Sequence, residues 1–266
     1  MNPPEPTETN MHVPQRAFTL AELLVTLGVL SLLASLAAHG LSNARVKSRE
    51  LGSMSNIRQH GVLVQAYSQS NRDLPPVLFR PEVALYPDGP WQTVEVEGEP
   101  VRGSWFENAR RYHVLLDRDA VSGIAFDPSR PSHLRVHYRR TGTCDYSIAL
   151  TFYASRDFWN RWTQSGVSQF VPQRLTSVSF PSQKGFMRQS VVYTIAAFPE
   201  GCGACCGHNE PSAVLWADGS ATHEAQSALR PGEPNFYHYG NLAPPTYWSS
   251  GVPIDATKDG VFGRDK

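Results

Sequence analysis

The 266-residue sequence lacks an excess of either charge, any repeat of fixed period and the common catalytic motifs. Lysine and arginine together number 24, and aspartate and glutamate also number 24. This balance leaves no basic footprint of the kind that nucleic-acid-binding proteins carry. The chain also lacks Gly-x-Ser-x-Gly, a glycine-rich phosphate-binding loop and His-Glu-x-x-His. We therefore expect no nucleic-acid partner and no enzymatic activity.

One long apolar run lies near the N-terminus, over residues 17–38, and Glu22 is its only charged residue. A carboxylate inside a lipid-facing helix costs about 2.5–3.5 kcal/mol on insertion scales. Such a residue requires a cationic partner.

Residues 17–22, AFTLAE, resemble the cleavage site of type IV prepilins and type II secretion pseudopilins. The resemblance implies that a prepilin peptidase cuts between Ala17 and Phe18 and then methylates the new amine of Phe18. It also implies that Glu22 neutralises the amine of a neighbouring subunit during assembly. The implied partners are the peptidase, other pilin-like subunits and an inner-membrane assembly platform.

Three other interpretations of residues 17–38 remain open. A secretory signal cleaved near Ala37, ahead of a secreted enzyme, is disfavoured because Glu22 interrupts the apolar core and the run is long for that role. An unprocessed anchor is physically possible, since about 20 apolar residues span a bilayer. A buried helix of a soluble protein is least favoured, because the run is not amphipathic before residue 40.

Residues 1–17 are predicted to be a leader peptide. The first ten, MNPPEPTETN, are proline-rich and carry two acids, whereas the leader that starts at Met11 has Arg16 as its only formal charge. The positive-inside rule favours the shorter leader, so we expect Met11 to be the true start. The expected location is the inner (cytoplasmic) membrane, crossed once, with the head in the periplasm or outside.

The predicted assembly helix over 18–40 continues as an amphipathic helix over 41–73. Five apolar residues approximate one helical face, namely Leu51, Met54, Ile57, Val62 and Tyr67. The helix must end before Pro75-Pro76. Residues 55–76 also resemble a segment of pseudopilin-like proteins from planctomycete and verrucomicrobial bacteria, with His60 where an apolar residue is usual.

Residues 74–229 are predicted to form a globular head. Residues 230–266 are predicted to form an irregular tail or a wrapping loop. Residues 77–130 are mostly irregular, with a short helix around 105–117 and another at 156–164. Strands are predicted at 133–140, 144–153, 190–198, 212–217 and 220–224. The expected fold class is α+β, a long transmembrane and then amphipathic helix packed on a small antiparallel sheet, as in pilins.

A second resemblance lies near the C-terminus. His208, nine further residues and then Asp218-Gly219 resemble a His-x9-Asp-Gly motif of the same bacterial prepilin-like proteins, and residues 175–186 resemble the stretch that precedes it there. Asp-Gly is also what a two-residue hairpin turn requires. We expect a structural role for these residues; a metal or ligand site at His208 and Asp218 is the alternative.

The chain has four cysteines, Cys144, Cys202, Cys205 and Cys206. An exported head favours disulfides, and the three connectivities stay open; one of them ties Cys144 to the 202–206 loop. Zinc is the alternative, because Cys202 and Cys205 are followed by His208. Residues 255–260 resemble a loose calcium loop of low ligand density. No cofactor is expected, and zinc and calcium are kept only as alternatives.

The sequence thus predicts a pilin-like or pseudopilin structural subunit of a type II secretion or type IV pilus-like filament. The alternative is a membrane-tethered binding protein whose head holds a ligand such as a glycan. Phe158, Trp159 and Trp162 offer a sugar-stacking platform for that alternative, although core packing is the favoured interpretation of these aromatic residues.

Overall fold

The computed structural model describes residues 19–79, 92–103, 107–128, 144–189, 211–233, 235 and 253–266. The chain divides into two compact units, Met1–Val46 and Lys47–Lys266. The longest element is helix α1, Leu20–Ser70, which begins in the first unit and ends in the second. Within the described residues it is the one helix long and apolar enough to cross a membrane.

Helix α1 ends as predicted, ahead of the two prolines. Arg72 and Asp73 adopt positive φ angles of 57° and 64°, and the Asp73 amide donates to the carbonyl oxygen of Ser68 over 2.8 Å. The chain therefore leaves the helix through left-handed backbone, and Pro75-Pro76 prevents the helix from resuming.

The buried face of α1 differs from the predicted apolar stripe. Leu51 and Val62 are 63% and 64% exposed, so their assignment to that stripe is wrong, whereas Ile57 is buried. Most of the buried positions hold small or polar side chains, and the full set is Ser53, Ile57, His60, Gly61, Val64 and Ser68. Close approach to the sheet explains this face. Gly61 lies against Leu215, and Ser53 Oγ is 3.3 Å from the Tyr146 hydroxyl.

The described residues of the second unit form two antiparallel sheets. The smaller is a hairpin of β1 (Gln92–Val96) and β2 (Glu99–Gly103). Its turn has φ angles of 51° at Glu97 and 84° at Gly98, as two-residue hairpin turns require. The prediction that residues 77–130 are mostly irregular missed this hairpin.

In the larger sheet, the described part of the chain supplies four antiparallel strands in chain order, namely β3 (Tyr146–Ile148), β4 (Gly185–Gln189), β5 (Ser212–Trp216) and β6 (Ala221–Glu224). The predicted strands at 212–217 and 220–224 are confirmed. The predicted strand at 144–153 gives way to a 3-10 turn at Leu150–Phe152. Those at 133–140 and 190–198 lie outside the described residues.

Short helices complete the second unit. The region predicted to be helical near 105–117 contains helix α2 (Asn108–Arg111) and a 3-10 turn (Tyr112–Leu115), and helix α3 (Arg118–Ser122) follows it. A single 3-10 turn, Arg156–Trp159, stands where 156–164 was predicted to be helical. The predicted α+β class, a long apolar N-terminal helix with small antiparallel sheets, is confirmed.

The C-terminal residues 253–266 are part of the packed interior. Ile254, Ala256 and Val261 are buried within the same core cluster as Met187 of β4 and Leu215 of β5. The segment is irregular apart from one 3-10 turn, Gly260–Phe262. It therefore packs onto the body of the second unit and does not extend away from it as a tail.

Substitution of Gly61 by alanine is expected to destabilise the second unit by about 1–3 kcal/mol, the usual cost of overpacking a core. An alanine Cβ would lie 2.3 Å from Leu215 Cδ2, and Leu215 is itself buried. Chemical denaturation of the full chain in detergent measures the change. Gly123→Ala is the matched control, since nothing lies within 4 Å of the added Cβ. Equal stability of the two variants would contradict the close packing of α1 on β5.

Candidate functional site

Helix α1 opens with reciprocal hydrogen bonds between Thr19 and Glu22. The backbone amide and the hydroxyl of Thr19 each donate to Glu22 Oε2 over 2.9 Å, and the Glu22 amide donates to Thr19 Oγ1 over 3.3 Å. This is a capping box, which satisfies donors that the first helical turn leaves open. It holds the Glu22 carboxylate at the positive end of the helix dipole.

The capping box uses one oxygen of the carboxylate. Among the described residues, Glu22 Oε1 accepts no hydrogen bond, so it remains an acceptor for an amine that comes from elsewhere. The first described residue, Thr19, follows the predicted cleavage point by one position. Ala17 and Phe18 themselves lie outside the described residues.

The Asp218-Gly219 pair forms the turn between β5 and β6. Asp218 Oδ1 accepts from the amide of Ser220 over 2.9 Å and from its hydroxyl over 2.7 Å. Gly219 has a φ of 86°, and its amide donates to the backbone carbonyl oxygen of Trp216 over 2.9 Å. His208 lies outside the described residues, so the proposed His208–Asp218 site stays a prediction.

The Cys144 thiol is buried and free. Its Sγ donates to the carbonyl oxygen of Ala125 over 3.2 Å and lies 3.7 Å from His60 Nε2. Burial raises the pKa of this thiol to about 12, so it is protonated and unreactive at neutral pH. Cys144 is thus a free thiol in the structure, whereas one of the suggested disulfide connectivities joined it to the 202–206 loop. Cys202, Cys205 and Cys206 lie outside the described residues.

The imidazole of His60 occupies the centre of the same buried cluster. Its Nδ1 is 2.9 Å from the Tyr112 hydroxyl and its Nε2 is 3.0 Å from the Ile124 carbonyl oxygen. Since a carbonyl only accepts, Nε2 carries the proton and Nδ1 accepts from Tyr112. Burial lowers the pKa of His60 to about 4. The ring is therefore a neutral, fully bonded part of the core at pH 7.

Two buried ion pairs attach the C-terminal residues to β4 and to Lys184, the residue that precedes it. Lys184 Nζ is 2.8 Å from Asp265 Oδ2, with side chains that are 0% and 2% exposed. The same ammonium donates to Thr257 Oγ1 over 2.6 Å and to the Ile254 carbonyl oxygen over 3.1 Å. Arg188 of β4 forms the second pair with Asp255.

The suggested calcium loop contributes carboxylates to ion pairs. Asp255 forms an ion pair with Arg188, and Asp259 Oδ1 is 3.1 Å from Arg156 Nε. Within the described part of the chain, no three His, Cys, Asp or Glu side chains cluster closely enough to hold a metal ion. Local sequence does not indicate the role of these acids, because their arginine partners are distant along the chain.

Comparison with known protein families identifies a motif in the N-terminal segment. A protein-family model described as the prokaryotic N-terminal methylation motif matches residues 14–38. This stretch contains the predicted cleavage point and Glu22. The N-terminus carries a prepilin-type methylation motif.

The methylation motif supports a type IV pilin-like precursor, a structural class of protein and not a catalytic one. Together with the apolar part of α1, it fits a single-pass membrane-anchored protein that is a substrate of a prepilin peptidase. No curated protein and no solved structure matches the chain. The family match covers residues 14–38 and assigns nothing to the rest of the chain.

Proposed function

We propose that the chain is the precursor of a pilin-like or pseudopilin subunit with a structural role. The observation that carries the proposal is the methylation motif at residues 14–38, placed at the start of a long exposed apolar helix with Glu22 in its first turn. A prepilin peptidase would cut between Ala17 and Phe18 and methylate Phe18. The apolar helices would then pack into a type II secretion or type IV pilus-like filament.

The proposed location is the inner membrane, with the head in the periplasm or outside and an assembly platform as the membrane partner. The apolar residues of α1 support this proposal, since large side chains from Leu20 to Leu41 are exposed. Exposed apolar area of this extent is unfavourable in water and needs either lipid or other helices to cover it. When the subunit leaves the membrane and assembles, neighbouring helices would replace lipid around these apolar side chains.

Glu22 would set the register of assembly. Its capping box keeps the carboxylate in the first turn of α1, and the free Oε1 would pair with the amine of Phe18 from a neighbouring subunit. A charge in an apolar setting favours such a partner strongly, because an unpaired carboxylate there costs several kcal/mol. Helices that meet out of register would leave the carboxylate unpaired.

Replacing Glu22 with alanine is expected to abolish filament assembly and leave cleavage intact. Mass spectrometry of the membrane-extracted protein should find a methylated Phe18 at the N-terminus of both the wild type and the variant. Electron microscopy and shearing assays then measure assembly. Glu50→Ala is the control, since Glu50 is also on α1 but lies beyond its apolar part, where its carboxylate pairs with the exposed Lys47. Normal filaments from Glu22→Ala, or an N-terminus near Ala38, would refute the proposal.

A membrane-tethered binding protein is the second candidate, and one observation favours it. Phe158 and Trp159 are buried, as the favoured interpretation expects, but Trp162 is 77% exposed on the second unit. For this candidate Glu22→Ala would leave ligand binding by the head almost unchanged. The same variant therefore separates the two functions.

A further inference from the structure

The indole of Trp162 is an exposed aromatic surface on an otherwise polar loop. Outside α1, the described large apolar side chains that are exposed are those of Trp162 and Val171. The two preceding aromatic residues, Phe158 and Trp159, fill the core beneath the loop. The chain thus anchors the loop with one tryptophan and presents the other to solvent.

Hydrogen bonds fix the conformation of this loop, residues 160–169. Asn160 Oδ1 accepts from the Trp162 amide over 3.0 Å. Gln169 spans the loop, since its Nε2 donates to the Thr163 carbonyl oxygen over 2.8 Å and its Oε1 accepts from the Ser165 amide over 2.7 Å. A loop held in this way loses little conformational entropy when it binds a ligand.

The guanidinium of Arg161 lies over the Trp162 ring, 4.4 Å from its centroid, within the range of a cation–π contact. The backbone amide of Arg161 donates to Glu233 Oε2 over 3.3 Å, and Glu233 is in turn paired with Lys258 at 3.6 Å. In the described part of the chain, the Arg161 guanidinium has no carboxylate partner of its own. Its planar set of donors is therefore available to a carboxylate on a ligand.

The surroundings of Trp162 favour a sugar over a protein as ligand. Protein interfaces bury a contiguous apolar centre, whereas the neighbours of Trp162 in the loop are hydroxyl and amide side chains at Asn160, Thr163, Gln164 and Ser165. A pyranose ring has an apolar C–H face that one aromatic plane can cover. Its hydroxyl groups need polar neighbours of this kind.

We propose that Trp162 and Arg161 form a binding site for an acidic glycan, a polysaccharide whose sugar rings bear carboxylates. The indole would stack on the C–H face of one ring, and the guanidinium would bind a carboxylate of the same or the adjacent ring. The rigid loop keeps the two groups together. This site is on the second unit and does not depend on filament assembly.

Titration of the full chain in detergent with polygalacturonate tests the proposal, with dextran as a neutral glycan and poly-L-glutamate as a polyanion without sugar rings. We expect polygalacturonate to bind more tightly than either. Trp162→Ala should weaken binding at least tenfold. Arg161→Gln should weaken it several-fold and reduce its salt dependence. Arg174→Gln, which removes another exposed arginine of the same unit, is the control and should bind like the wild type.

Several results would overturn the proposal. Absence of polygalacturonate binding, or equal binding by the Trp162→Ala variant, would remove the stacking site. Equal binding of poly-L-glutamate would reduce the interaction to non-specific charge, and equal binding of dextran with no effect of Arg161→Gln would exclude an acidic ligand. Because Glu22→Ala leaves the loop unchanged, that variant should bind normally even if it fails to assemble.

Discussion

Replacing Asp265 with alanine is expected to lower the free energy of unfolding of the second unit by about 3–5 kcal/mol. The change removes the carboxylate that pairs with the Lys184 ammonium at 2.8 Å, and the Lys184 side chain is fully buried. Breaking a buried ion pair from one side is costly because it leaves an uncompensated charge in the interior. Burial already lowers the pKa of Lys184, and Asp265 opposes that shift. Chemical denaturation of the full chain in detergent measures the loss.

Two further variants separate the ion pair from general damage to the C-terminal residues 253–266. Lys258→Ala removes an exposed partner of Glu233 from the same segment and should cost no more than about 1 kcal/mol. The double variant Lys184→Met with Asp265→Leu removes both charges and should be more stable than Asp265→Ala, because no uncompensated charge is left in the interior. It should remain less stable than the wild type, because the Gly185 amide and the Thr257 hydroxyl both lose Asp265 as their acceptor. If Asp265→Ala cost no more than Lys258→Ala, the pair would not hold the segment in place.

The parts of the fold that the sequence predicted are those with strong local signals. The apolar run and the Pro75-Pro76 pair fix the existence and the end of α1 within a few residues. The apolar run before Asp218-Gly219 and the turn signal of that pair define the β5–β6 hairpin, because both lie close together in sequence. The turn itself differs from the predicted two-residue turn: Leu215 pairs with Ala221 and the Trp216 amide donates to the Ser220 carbonyl oxygen, which leaves a three-residue loop with Gly219 at positive φ. Residues 17–22 were equally informative about the N-terminal methylation motif, since the whole signal is contiguous.

The parts that the sequence did not predict depend on contacts between distant residues. Lys184 and Asp265 are 81 positions apart, and neither is flanked by a pattern that indicates a buried ion pair. The buried face of α1 was misassigned because apolar spacing predicted Leu51 and Val62, whereas close packing on the sheet selected Gly61 and small polar residues. Spacing also could not decide which of Trp159 and Trp162 is buried.

His60 shows the same limitation, and it leads to a prediction about acid stability. The sequence showed only a histidine where an apolar residue is usual. In the structure this ring is buried and faces Tyr112, Tyr146 and Cys144. Burial raises the pKa of all three of these groups, so they stay neutral in acid. Burial is also the main reason for the low pKa of His60, and the nearby His113 lowers it further.

Acidification from pH 7 to pH 4 is expected to destabilise the wild type by about 3 kcal/mol more than a His60→Gln variant. The pKa of His60 is about 4 in the folded protein and about 6.5 in the unfolded chain. The unfolded chain therefore takes up a proton first, and stability falls as the pH drops from about 6.5 to about 4. At 1.36 kcal/mol per pH unit, a difference of about 2.5 between the two pKa values gives about 3 kcal/mol.

Denaturation midpoints across this pH range, measured on both proteins, isolate His60 because the carboxylates titrate in both. Tyr112→Phe is an informative control, since it removes the hydrogen bond to Nδ1 but keeps the imidazole. That variant should be less stable at pH 7 by about 1–3 kcal/mol, the cost of an unsatisfied buried acceptor, and should retain the loss of stability in acid. If the stability of the wild type and of His60→Gln fell equally with decreasing pH, His60 would take up its proton as readily in the folded protein as in the unfolded chain. The ring would then have to be accessible to water, which contradicts its place in the core.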